Sequence, residues 1–171
     1  AAVGVDLLRF YITRISPETG DANFTWQDFQ TRVNGELADI LGNLVNRTLT
    51  FLNKNYEGQI VPAKPEVAGK VQAGIEETLK TYCHHLDGAF SKLALETLIE
   101  FGRSLNVFFQ EAEPWKVRKT DPLKAHQSLH SVCLGIKAIA IMLYPVCPGI
   151  AQKIWAQLGF GGELQKEAAL D

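Results

Sequence analysis

The sequence predicts an all-α protein, an antiparallel bundle of about five helices joined by short connections. Three observations predict it. Apolar residues recur at steps of three and four in nearly every segment, breaks in that rhythm fall on proline, glycine and capping residues, and no stretch carries a competing strand signal.

The first helix is the short amphipathic run "VDLLRFYITRI", ended by the loop "SPETGDAN". A long second helix begins at Thr25, which can cap it, with Asp28 three residues on as in a capping box. Its apolar series is Trp26, Phe29, Val33, Leu37, Ile40/Leu41, Leu44, Thr48 and Phe51/Leu52. It should stop near "NYEG", with Gly58 as C-cap and Pro62 and Pro65 beyond. A third helix fits Glu66 to Tyr82, and a fourth fits Gly88 to Phe109 behind an Asp87 cap. Pro114 interrupts. Asp121-Pro122, a cap followed by proline at the first helical position, opens a fifth that ends before Pro145. A last short helix fits Pro148 to Leu158, closed by Gly159, and the tail "GGELQKEAALD" should be polar and frayed. Residues 1–24 thus form an opening helix and loop, 25–160 the bundle, and 161–171 a tail.

With 171 residues, 46% hydrophobic, the chain can bury one core. A net charge of −2 supplies no bulk attraction to polyanions, so any nucleic-acid contact must rest on a local patch. Cys83, Cys133 and Cys147 are odd in number and lack CxxC spacing, which reads as reduced thiols in a cytoplasmic protein. No apolar stretch reaches the roughly 18 residues of a membrane span, and Asp6 and Arg9 interrupt any signal peptide. Ala1 already falls within helical pattern, as expected of a piece cut from something larger.

Catalytic constellations are missing from the sequence: no GxxxxGK[ST] or GxGxxG loop, no GxSxG elbow, no HExxH. His126, His130 and Cys133 share a face at i, i+4 and i+7, but with no fourth ligand evident, buried or interfacial histidines are expected and no metal. "CHH" at Cys83 to His85 ends a helix, where histidine suits the negative dipole end. Trp26 and Trp155 occupy apolar helical positions and are expected in the core.

Two polar features stand apart. Along the margin of the long helix, Asn43, Arg47, Thr50 and Lys54 form one ridge at i, i+4, i+7 and i+11. A solvated helix edge is the plain reading. Alternatively, an amide beside a five-donor fork can match the edge of an unpaired base. The second feature is Trp115 in "EAEPWKV", outside any amphipathic pattern and followed by Lys116, Arg118, Lys119 and Lys124. A ring in that setting either packs a helix corner or stacks on a splayed nucleotide while the cations take phosphates.

Taken with their order and separation, "DLLRFY", "NLVNR…FLNK" and an asparagine nine residues before "PW" (Asn106 and Trp115) resemble the methionyl-tRNA synthetases, class I aminoacyl-tRNA synthetases. The resemblance covers roughly Val5 to Leu158. It implies a helical bundle that binds the CAU anticodon of methionine tRNA, with Asn43 and Arg47 hydrogen-bonding the first base and Trp115 stacking on it. Lys54, Lys116, Arg118 and Lys119 would then meet the RNA backbone. The HIGH-like and KMSKS signatures, the nucleotide-binding domain and the zinc-carrying insertion have no counterpart in these residues. The resemblance therefore implies a fragment that is inactive alone. The parent's catalytic domain would be its partner, and ATP, Mg and Zn would belong to that domain. The opening helix resembles the segment that follows the signature loop. Phe108 stands where tyrosine is more usual, and no C-terminal tRNA-binding appendage follows, so a monomer is expected. A protein-interaction bundle without RNA binding remains the alternative. So does the anticodon domain of a related leucine, isoleucine, valine or cysteine enzyme.

Overall fold

A computed structural model of the chain describes residues 2–18 and 20–168, including all their side chains except those of residues 2, 3, 65–67, 167 and 168. Ala1 and the last three residues of the expected polar tail lie outside the described residues. The order is α1 (Ala2–Arg14), α2 (Trp26–Arg32), a π-helix (Val33–Gly42), α3 (Asn43–Tyr56), α4 (Pro65–Asp87), α5 (Ser91–Ala112), α6 (Pro114–Val117), α7 (Pro122–Leu143), α8 (Pro148–Gln157) and α9 (Leu164–Ala168). Among the described residues there are no strands. The all-α expectation holds, with helices α4, α5 and α7 packing most extensively on one another.

The long second helix exists, but it is not α-helical throughout. Its middle third widens to π geometry, and the Asn43 N–H reaches back five residues to the Ala38 carbonyl. π turns inside α-helices tend to occur at functional sites. Val33, Leu37, Ile40, Leu41, Leu44, Val45, Thr48 and Leu52 are buried, as the apolar series requires. Gly102 of α5 allows the close approach that seats this rod: a Cβ there would lie 2.5 Å from Leu41 Cδ2 and 3.2 Å from Ile40 Cγ2. Thr25 caps as expected, accepting from the Asp28 N–H at 3.1 Å, and the rod ends with Glu57 and Gly58 both at positive φ.

Three expectations need correction. Trp26 is 73% exposed. Its ring instead meets Phe24 and Phe29 edge-on, and both of those lean on the buried Tyr11. Asp87 does not cap the next helix, since α4 continues through it. The α5 N-terminus is capped from a distance by Glu18, whose carboxylate accepts from Lys92 N–H at 2.7 Å, Ser91 Oγ at 3.1 Å and Leu93 N–H at 3.3 Å. The tail also begins ordered: Leu164 of α9 is buried, and its N–H donates to Gln152 Oε1. Trp155 is in the core as expected.

"DLLR" has a physical rationale. Asp6 is buried and its carboxylate accepts from the Ile150 N–H at 2.7 Å, which supplies the first turn of α8 with the cap its own N-cap residue, Cys147, lacks. One turn on, Arg9 donates through Nε to the Val146 carbonyl at 2.7 Å and through Nη2 to Pro145 at 2.8 Å. An acid meets a helix N-terminus and a base meets the carbonyls beyond a C-terminus, each with the sign the helix dipole favours. α1 is thereby clasped to the α7–α8 corner. A second tie, the bidentate pair Arg14–Glu36 at 2.7 and 2.9 Å, fixes α1 to the π-helix. It holds the Arg14 pKa above its ordinary value, through the Glu36 hydrogen bond first and despite burial.

Candidate nucleic-acid interface

Asn43 opens α3 and is exposed, and Arg47, one turn further on, is half-buried. The guanidinium carbon of Arg47 sits 4.9 Å from the centre of the Phe109 ring, and its Nη2 donates to Gln110 Oε1 at 3.4 Å. Phe109 is buried near the C-terminus of α5, and the C-cap residue beyond that helix, Glu113, is held at a φ of 38°. Pro114 is buried and starts the single turn α6, which returns Trp115 against the other side of the same corner. The Trp115 ring is half-buried and lies 5.9 Å from the Phe109 ring at 47°. Phe109 is therefore a shared seat: the polar ridge of α3 rests on it through Arg47, and the loop tryptophan rests on it directly. The Trp115 ring packs a helix corner, the plainer of its two sequence readings, and keeps exposed surface.

The cations divide. Arg118 and Lys119 are exposed on the turn after α6, and Lys54 is exposed on the last turn of α3. Lys116 is already paired, its Nζ 2.6 Å from Glu113 Oε1, so an approaching phosphate would compete with a surface ion pair. Tyr56 stacks on His126 with ring centres 4.2 Å apart and donates to the Pro122 carbonyl, tying the end of α3 to the start of α7.

The histidines on α7 bind backbone. His126 Nε2 lies 2.7 Å from the Gln59 carbonyl, and His130 Nδ1 accepts from the Ala63 N–H at 3.2 Å. Together they hold the connection between α3 and α4 against α7. Burial, and then the neighbouring His126, push the His130 pKa below its ordinary value. Cys133 is buried, and desolvation pushes its thiol up to about 12. Among the described residues, no group of three or more His, Cys, Asp or Glu side chains could hold a metal ion.

Sequence reasoning missed Phe109 and Gln110. Phe109 looks like any other apolar residue of α5, and a glutamine at an exposed helix end carries no periodic signal. Asn106 was noticed only for its spacing. Its Nδ2 donates to the Ile40 carbonyl at 3.0 Å, in the π turn just ahead of Asn43, and to the Gly102 carbonyl at 3.0 Å. A recess of about 540 Å³ lies between α3 and α8, but none of Asn43, Arg47 or Trp115 lines it.

Comparison with known proteins gives this corner a context. A family model described as the anticodon binding domain of methionyl tRNA ligase matches residues 61–168, and one described as tRNA synthetases class I (M) matches residues 1–49. Asn43 and Arg47 fall in the second match and Trp115 in the first. Methionine–tRNA ligase of Methanopyrus kandleri is 39% identical over 155 residues, covering 91% of this chain and 23% of its own length. The Korarchaeum cryptofilum ligase is 35% identical over 166 residues, 96% of this chain and 30% of its own. A solved structure of Mycobacterium tuberculosis methionyl-tRNA synthetase in complex with methionyl-adenylate superposes with a TM-score of 0.89 at 28% identity, covering 99% of this chain and 34% of that one. The chain thus spans 23–34% of the length of these relatives.

Proposed function

Because the chain belongs to the family of methionyl-tRNA ligase anticodon-binding domains, we propose that the corner built on Phe109 reads the CAU anticodon of methionine tRNA. Trp115 offers its exposed ring surface to the first anticodon base, and Asn43 and Arg47 address that base's edge. Stacking contributes about 1–3 kcal/mol per base and tolerates base identity, so discrimination falls to the edge contacts. Cytosine presents an amino donor beside ring acceptors; an amide answers both and a guanidinium donates. A wrong base leaves a polar group unpaired, at a cost of about 1–3 kcal/mol. Arg118, Lys119 and Lys54 take backbone phosphates, with Lys116 joining them if it leaves Glu113. These contacts make binding salt-dependent.

The observation that supports this most directly is the shared seat. Two features far apart in sequence, a hydrogen-bonding ridge and a half-exposed ring, converge on Phe109. In the longer protein the anticodon signal serves ATP-dependent ligation of methionine to tRNA through an aminoacyl-adenylate. ATP, Mg and Zn are assigned to the remainder of that protein, which we take to act as a monomer in the cytoplasm.

A second feature supports a partner at the other end of the bundle. Val5, Leu8, Ile12, Phe24, Trp26, Leu86 and Phe90 are exposed large apolar residues on α1, the loop after it, the start of α2, the end of α4 and the α4–α5 turn. That surface is the natural seat for the catalytic domain, and its α1 portion lies within the match of residues 1–49 to the synthetase class model.

Fluorescence titration with a CAU anticodon stem-loop, against one with a changed first base, tests the reading. CAU should quench emission, and Trp115→Ala should abolish the quenching. Arg47→Ala should bring the two loops to similar affinity. Equal binding of both loops by the wild-type full-length protein at low salt would refute base reading, and binding of neither would leave a protein-interaction bundle.

A further inference from the structure

If the corner reads a base edge, the accuracy of that reading depends on where the Arg47 guanidinium is held. Arginine has long rotamer freedom, and a donor fork helps discrimination only when its direction is fixed before the base arrives. Two neighbours on α5 fix it. The Phe109 ring lies beneath the guanidinium at 4.9 Å and sets its depth. Gln110 Oε1 accepts from Nη2 at 3.4 Å and sets its rotation. One turn earlier on the same helix, Asn106 fixes the backbone of the π turn at Ile40, so α5 sets both the rod and the fork it carries.

We infer that Gln110 is a positioning residue for first-base specificity: its neutral side-chain oxygen aims Arg47 at the base edge without neutralising it. This rests on the anticodon reading above. The neutrality matters. A carboxylate in the same place would form a charge-assisted bond with Arg47, hold the fork to the protein and set a negative charge beside incoming RNA. An amide oxygen engages one Nη and leaves the remaining donors for cytosine. Gln110 itself does not need to touch RNA.

The test uses the full-length protein that carries this chain, with CAU and changed-first-base anticodon stem-loops titrated against wild type, Gln110→Met, Gln110→Glu, Arg47→Met and the Gln110→Met/Arg47→Met double variant. Thermal melting of each variant establishes that it is folded, and residue 110 is exposed, so all should be. Gln110→Met should lower the CAU preference about three- to tenfold, the range of a typical net hydrogen bond. Affinity for the changed loop should stay where it was. Gln110→Glu should lose more CAU affinity than Gln110→Met. In the Arg47→Met background, Gln110→Met should change nothing further, because its effect passes through Arg47. An unaltered CAU preference in Gln110→Met, or an equal loss in the presence and absence of Arg47, would overturn the inference while leaving the anticodon reading in place. Absence of any CAU preference in wild type would instead remove the reading on which it rests.

Discussion

Gly102 sets how closely the reading rod lies on α5, and replacing it with alanine tests that geometry. Two effects oppose. Alanine in a helix interior is favoured over glycine by about 1 kcal/mol. Against this, the added Cβ would lie 2.5 Å from Leu41 Cδ2 and 3.2 Å from Ile40 Cγ2, so the buried Leu41 side chain must shift. Overpacking of this kind costs about 1–3 kcal/mol. The net expectation is a loss of about 0–2 kcal/mol. Gly69, in α4, is the internal control: nothing lies within 4 Å of its Cβ position, so Gly69→Ala should gain the full propensity term of about 1 kcal/mol. The two variants should differ by about 1–3 kcal/mol in urea denaturation, or roughly 2–4 °C in melting temperature per kcal/mol at this chain length. Ile40 and Leu41 directly precede Asn43, so Gly102→Ala should also weaken first-base discrimination without altering a residue that meets RNA. A Gly102→Ala protein as stable as Gly69→Ala would show that the rod is not held by close contact and refute the reasoning.

Other outcomes follow from the same structure. Glu36→Gln should destabilise by about 2–3 kcal/mol in denaturant titration, because it leaves the buried Arg14 with only the more distant Glu96, 3.8 Å away. His130 has a folded pKa below its ordinary 6.5, so its contribution to stability is complete above that value and declines as pH falls from it toward the folded pKa. Protonation at Nδ1 also removes the acceptor for the Ala63 N–H; melting temperature should therefore drop on acidification in this range, and His130→Asn should flatten the slope. Iodoacetamide at about pH 8 should modify the exposed Cys83 and spare Cys133 and Cys147, whose thiols burial pushes up to about 12, as mass spectrometry of the folded protein would show.

Much of this was legible beforehand because helices announce themselves by period and punctuation. Asp121-Pro122 opens α7 where the residues say it should, with Asp121 Oδ1 accepting from the Lys124 N–H. The ridge of Asn43 and Arg47 survived the passage to three dimensions because both lie on the α-helical part of the rod, beyond the π stretch. What stayed hidden is non-local. Nothing near Ser91 shows that Glu18, more than 70 residues earlier, supplies its cap. Trp26 keeps helical register with Phe29 and Val33, yet register cannot reveal that its ring stays mostly exposed. The π geometry has no composition signal either, and the segment is held from neighbouring helices by Asn106 and Arg14. The role of Gln110 is likewise invisible until α5 is laid beside α3.

The clasp of Asp6 and Arg9 on the α7–α8 corner has a mechanical consequence. α7 has 22 residues, and its first turn is tied to the end of α3 through Tyr56. At 1.5 Å per residue it is a strut of about 33 Å, stiff along its axis. Turning such a strut by only about 3° at the clasp carries its far tip nearly 2 Å sideways, more than the roughly 1 Å misplacement that can cost two orders of magnitude in an aligned site. The alignment of α1 and the alignment of the Trp115 corner are opposite ends of one lever.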